Sequence, residues 1–161
     1  MKAYCDSSVM VAWFHPTDDF AGPVTDWIRE NDVDFIWNAV LRAETRHNLR
    51  KLKMPYARTS WNAFRAAEQT QKLVARKNQV DALLDDLDDL SARLAQAVDA
   101  GTWDFFHVAA AVRTNCDCFA TCDQAQAEVA KRAGLKVKLF KIRSPRRRRI
   151  ARRLTAMPGF Q

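Results

Sequence analysis

Short β-prone runs that lead into an acid and then a helix recur along this chain, and that order limits the fold more tightly than any one motif. Residues 2–5 run into Asp6, after which Ser7 and Ser8 can cap a helix over residues 9–14. A break at 16–19 precedes an amphipathic helix over 20–31. Residues 34–37 form the next apolar strand, followed by a helix over 39–52 that stops before Pro55. Apolar residues at helical spacing fill 56–76 and 80–100, in the second case Val80, Leu83, Leu84, Leu87, Leu90, Leu94 and Val98, so a helical hairpin is expected there. Gly101 ends that hairpin, and Thr102 can cap a helix over 103–114. Its small residues from Val108 to Val112 suit close packing on a sheet. A strand over 116–121, a helix opened by Asp123 and ended by Gly134, and a strand over 136–142 complete the pattern. Strands separated by helices predict an α/β fold with a mainly parallel sheet. Only 4 Gly and 5 Pro in 161 residues argue against a turn-rich sandwich.

That length fits one domain. The composition changes at Ser144 and Pro145 to an Arg-rich stretch, which predicts a domain over 1–142 and a basic C-terminal tail over 143–161. The net charge of +7 divides the same way. Eight Lys and Arg and no acid lie in 141–161, leaving eighteen cations against nineteen acids before it. The longest apolar stretch, 9–14, is far below the roughly 20 residues that span a bilayer. With an acid already at Asp6 and no apolar leader, a cytoplasmic protein with no membrane span is expected. Four cysteines are too few for a disulfide framework. Cys116, Cys118 and Cys122 lack the paired knuckles of a zinc site, so buried thiols are expected.

In a parallel sheet, ligands gather at the carboxyl ends of the strands. Asp6 and Asp123 follow two such ends, Asp104 begins a helix after Gly101, and Glu44 lies within the helix after the second strand. Taken singly, Asp6, Asp104 and Asp123 are explained as helix caps or dipole partners, and Glu44 as an outward residue pairing with Arg or His. Acids without His or Cys ligands suit Mg²⁺ or Mn²⁺ better than zinc. His107 fits a packing or hydrogen-bonding role, whereas His15 and His47 have no distinguishing spacing. Asp85, Asp86, Asp88 and Asp89 turn to solvent by helical periodicity. Trp13, Trp27, Trp37, Trp61 and Trp103 are scattered rather than arrayed for base stacking, and most are expected in the core or an interface.

The order of these residues resembles the PIN-domain ribonucleases, and especially the small VapC-type toxins of bacterial toxin–antitoxin pairs. The resemblance rests on Asp6, Ser7 and Ser8, on Glu44, and on Asp104 with His107 and Ala110. It continues through Phe119, Thr121 and Asp123, then Ala130, Gly134, Leu135 and Val137, and covers residues 2–140. It implies a three-layer α/β/α sandwich, an acidic pocket of Asp6, Glu44, Asp104 and Asp123 binding Mg²⁺ or Mn²⁺, and hydrolysis of RNA. Thr121 matches the hydroxyl beside the last acid. A cognate antitoxin and a homodimer are implied as partners. The tail departs from the family pattern. Arg146, Arg147, Arg148, Arg149, Arg152 and Arg153 are expected to hold RNA near the acids by phosphate attraction. The competing expectation is a catalytically inactive PIN-like scaffold that binds RNA or protein. A receiver-type phosphate-transfer domain fits less well, because Asp123 stands where such a domain would need a Lys.

Overall fold

The fold is built from β1 (Lys2–Cys5), α1 (Ser7–Phe14), α2 (Ala21–Glu30), β2 (Asp34–Phe35), β3 (Trp37–Asn38), α3 (Ala39–Arg50), α4 (Tyr56–Gln69), β4 (Ala75–Arg76), α5 (Val80–Leu94), α6 (Thr102–Arg113), β5 (Cys118–Thr121), α7 (Gln124–Arg132) and β6 (Val137–Leu139). It is a computed structural model that describes residues 1–76 and 80–142. The basic tail predicted from residue 143, including Arg146 to Arg149, Arg152 and Arg153, lies outside the described residues.

Four strands form a parallel sheet in the order β2-β1-β5-β6. Tyr4 stands opposite Phe119 and Cys5 opposite Ala120, so the two most buried strands run side by side. From β1 the chain moves outward to β2, and from β5 it moves the other way to β6. Right-handed crossovers therefore place their helices on opposite faces of the sheet. Packing agrees: α1 touches α2, α3 and α4, while α5 and α7 both lie against α6. The result is the expected three-layer α/β/α arrangement, and the boundary between β1 and β5 is its topological switch point.

Long-range pairing changed several local expectations. The run at 34–37 divides at Ile36: β2 joins the main sheet, while β3 turns away to pair with β4 in a separate parallel ribbon. The helix expected over 56–76 stops at Gln69, because the following residues supply β4. The expected hairpin does not form: α4 packs on α1 and α3, whereas α5 lies along α6. Helical periodicity identifies a buried face without naming the surface that buries it.

The core centres on Tyr4, Met10, Trp37, Leu41, Phe64 and Phe119, all essentially inaccessible. Burying an apolar side chain of this size contributes about 1.5–3 kcal/mol before entropy is counted. In α6, every residue from Phe105 to Ala111 is buried, and the run of Ala109, Ala110 and Ala111 lets it pack closely against α5 and α7 without a solvent-facing side there. Cys5 and Cys118 are buried, Cys116 and Cys122 are partly buried, and all four are free thiols.

Candidate active site

The carboxyl ends of β1 and β5 deliver Asp6 and Asp123 to neighbouring positions at the switch point. Asp6, rather than Ser7 or Ser8, is the N-cap of α1: its backbone is extended and its Oδ1 accepts the Val9 amide at 3.0 Å. Asp123 plays the same part for α7, accepting the Gln126 amide at 2.9 Å. At α6 the expected cap Thr102 is already inside the helix. Gly101 is the N-cap, and Asp104 reaches back to accept its amide at 2.8 Å.

Two hydroxyls join the first acid to the loop after β5. Ser8 donates to Asp6 at 2.7 Å and accepts the Cys122 amide at 3.0 Å. Thr121 donates to Asp6 Oδ2 at 3.0 Å and accepts the Asp123 amide at 2.9 Å. Because each oxygen accepts a backbone N–H, its one proton is left for Asp6. Asp6 is only 4% exposed, and this burial raises its carboxyl to about 6, with the bonds from Ser8, Val9 and Thr121 opposing the rise. Thr121, matched from sequence as a supporting hydroxyl, is thus in direct contact with the first acid.

Gln126 bridges the other two aspartates. Its backbone amide donates to Asp123, and its Nε2 donates to Asp104 at 3.2 Å. The remaining amide oxygen, Oε1, is buried and has no hydrogen-bond partner among the described residues. Carboxylates and an amide carbonyl are hard oxygen donors of the kind Mg²⁺ and Mn²⁺ prefer. The donor chemistry of this edge therefore fits such an ion.

Glu44 approaches from α3 and is held differently. His107 Nε2 lies 2.6 Å from its Oε2, while Nδ1 lies 2.8 Å from the Tyr4 hydroxyl. Asn38 donates to that hydroxyl at 3.2 Å. With Tyr4 donating to Nδ1, Nε2 carries the proton given to Glu44. Burial pushes the Glu44 carboxyl up, but the hydrogen bonds from His107 and Ser7 outweigh it and hold the group below its ordinary value. Burial drives the Tyr4 phenol far the other way, so it remains a protonated donor.

Asp6, Asp123 and Asp104 are linked through Thr121 and Gln126, and Glu44 is tied to His107 nearby. Among the described residues, no three His, Cys, Asp or Glu side chains stand close enough to form a ready cage for one ion. Sequence reasoning missed Ser8 and Gln126 as parts of this network. Ser8 had the local signal of a hydroxyl beside a cap, whereas Gln126 had none. The hydrogen-bonding role expected for His107 is present, at 1% exposure.

A parallel three-layer domain with acids at its switch point is the architecture of a PIN domain, and the sequence profile of that family matches residues 3–132. The chain belongs to the PIN-domain family. Its fold is similar to the crystal structure of VapBC2 from Rickettsia felis bound to a DNA fragment from their promoter, with a TM-score of 0.62 at 14% identity, covering 88% of this chain and 100% of that one. It is also similar to FitAcB from Neisseria gonorrhoeae, with a TM-score of 0.56 at 17% identity, covering 84% of this chain and 95% of that one. No curated protein matches the chain by sequence. Among the described residues, no helix is long and apolar enough to cross a membrane.

Proposed function

We propose that this PIN domain is a divalent-metal-dependent endoribonuclease and the toxin of a toxin–antitoxin pair, acting as a homodimer in the cytoplasm. The observation that carries this reading is Asp6, a buried carboxylate at the switch point whose hydrogen bonds come from neutral donors and extend through Thr121 to the Asp123 loop. Likeness to VapBC2 and FitAcB supports the antitoxin as partner.

In this reading Asp6, Asp104, Asp123 and Glu44 hold Mg²⁺ or Mn²⁺. A divalent ion, when bound, supplies charge stabilisation at the scissile phosphate and acidifies a water. The chain's own residues prepare the place for it. Ser8 and Thr121 fix the rotamer of Asp6, Gln126 sets the separation of Asp104 from Asp123, and His107 orients Glu44. The basic tail supplies cations that draw phosphate toward an edge that would otherwise repel it.

The test is cleavage of a single-stranded oligoribonucleotide by the full chain with Mg²⁺ or Mn²⁺. Loss of cleavage in EDTA, and in Asp6→Asn and Asp104→Asn with circular dichroism unchanged, is expected. Metal-independent cleavage that survives both substitutions would remove the assignment. The Glu44–His107 bond favours a second reading, an inactive scaffold with Glu44 committed to structure. Mn²⁺ titration separates the two: an active site gives saturable thermal stabilisation, and a scaffold gives none.

A further inference from the structure

Beside Glu44 lies a cavity of about 310 Å³ that the acid network does not use. Val40, Ala43, Glu44 and His47 form one wall, and their spacing puts them on a single stripe of α3. Trp103, from α6, completes the lining. It is the residue before Asp104 and, at 62% exposure, the most accessible of the chain's five tryptophans, all of which are described. Leaving an indole in water forfeits a large apolar burial, so an exposed ring of this kind next to reactive carboxylates calls for a reason.

Its orientation is supported from beneath. Trp103 packs edge-on against Phe106 at 5.5 Å and 67°, and Phe106 is itself buried. Part of the lining is therefore an aromatic side chain resting on the core, another part an apolar patch of Val40 and Ala43, and the polar atoms are on Glu44 and His47. A flat aromatic ligand with hydrogen-bonding edges suits that lining better than a purely aliphatic one. Continuity with the acids narrows it further. Glu44 belongs to both places, and Asp104 adjoins Trp103 in the chain, so an occupant would lie next to a phosphate held at the carboxylates.

We propose that this cavity binds an unpaired nucleobase of the RNA substrate, stacked on Trp103, in the nucleotide flanking the scissile phosphate. The inference rests on the nuclease reading and adds to it a contact to one base of the substrate. A base in a duplex stays in its own stack and cannot reach the ring, whereas single-stranded RNA is commonly read by bases splayed onto aromatic side chains.

Binding of the full chain to a fluorescent single-stranded oligoribonucleotide, measured by anisotropy in EDTA at low salt, tests this directly. Trp103→Ala is expected to weaken binding roughly tenfold, while Trp103→Phe stays within about threefold of wild type, since stacking on an aromatic ring survives in the second alone. An oligonucleotide with one abasic position, moved along the strand, should reproduce the wild-type loss at one position and cause no added loss in Trp103→Ala. Equal affinity of wild type and Trp103→Ala overturns the proposal. So does a Trp103→Ala variant whose RNA affinity is intact but whose sedimentation mass falls, which would give the cavity to a second copy of the chain. Cleavage by wild type with Mn²⁺ is measured alongside. If it persists while Trp103→Ala has lost no affinity, the base site fails and the nuclease reading stands. If wild type neither binds nor cleaves RNA, both fall.

Discussion

At the seam between α3 and α4, Glu68 gathers three guanidinium groups: Arg42 and Arg46 at 2.6 Å and Arg65 at 3.0 Å. At the carboxyl end of β1, Asp6 gathers two hydroxyls and a backbone amide. Both side chains are withdrawn from water, yet their acidities move apart. Arg42 and Arg46 outweigh the burial of Glu68 and hold its carboxyl below the ordinary value, whereas burial dominates at Asp6 and raises it to about 6. The first region has finished neutralising its charge within the fold. The second has oriented a carboxylate with neutral dipoles and left its charge available to a cation from outside. On the proposed nuclease reading, the carboxylate surrounded by arginines is structural and the one fixed by hydroxyls at the switch point takes part in the chemistry.

Exchanging each acid for its amide probes that contrast most strongly. Asp6→Asn should reduce RNA cleavage by roughly 10³-fold, the scale seen when an oriented electrostatic group is removed from a reaction site. Glu68→Gln should leave cleavage within a few-fold of wild type, so equal losses in steady-state rates would erase the distinction. Next in size is the tail. Removing residues 144–161 should weaken RNA binding at low salt and lower the slope of log affinity against log salt by roughly 0.7 for every phosphate the tail had neutralised. An unchanged slope by anisotropy would leave the tail without that role.

Stability should respond in the opposite order. Glu68→Gln leaves three arginines without their shared partner; because these are partly exposed, a loss of roughly 1–2 kcal/mol in urea unfolding is expected. Asp6→Asn should cost less at pH 7. The sign follows from its acidity: the folded value, about 6, lies above the unfolded value near 3.8, so the native state binds the extra proton between them. The contribution of Asp6 to metal-free stability therefore falls as pH rises through that window, by at most about 1.4 kcal/mol per pH unit. Asp6→Asn should flatten this slope. Glu44 acts in the opposite sense, because its lowered pKa gives stability that is lost only as pH drops below its ordinary range near 4.5. A stability curve for Asp6→Asn as steep as wild type from pH 4 to 6 would mean that Asp6 is not the group responsible.

What could be read in advance was what depends on neighbours in sequence. The strand before Asp6, the cap at Asp123 and the left-handed turn at Gly134 are local events, and they occur where the pattern puts them. The ribbon of β3 and β4 has two residues in each strand and exists only because distant segments pair, so no local run announces it. The helices α4 and α5 were legible as helices but not as members of opposite layers. Among the acids, type and order were visible, whereas the hydroxyl and amide bridges between them were not. Trp103 shows the same limit. Its apolar bulk marks it as a core or interface residue, and only the setting of the first turn of α6 in three dimensions leaves its ring outside.

The bond from Thr121 to Asp6 spans 115 positions of sequence. On the nuclease reading, a ribosome making this protein is exposed to no finished cutting edge until residues 118–121 have emerged and β5 has slotted in beside β1. Order of synthesis thus sets a delay between the appearance of Asp6 and the completion of the edge to which it belongs.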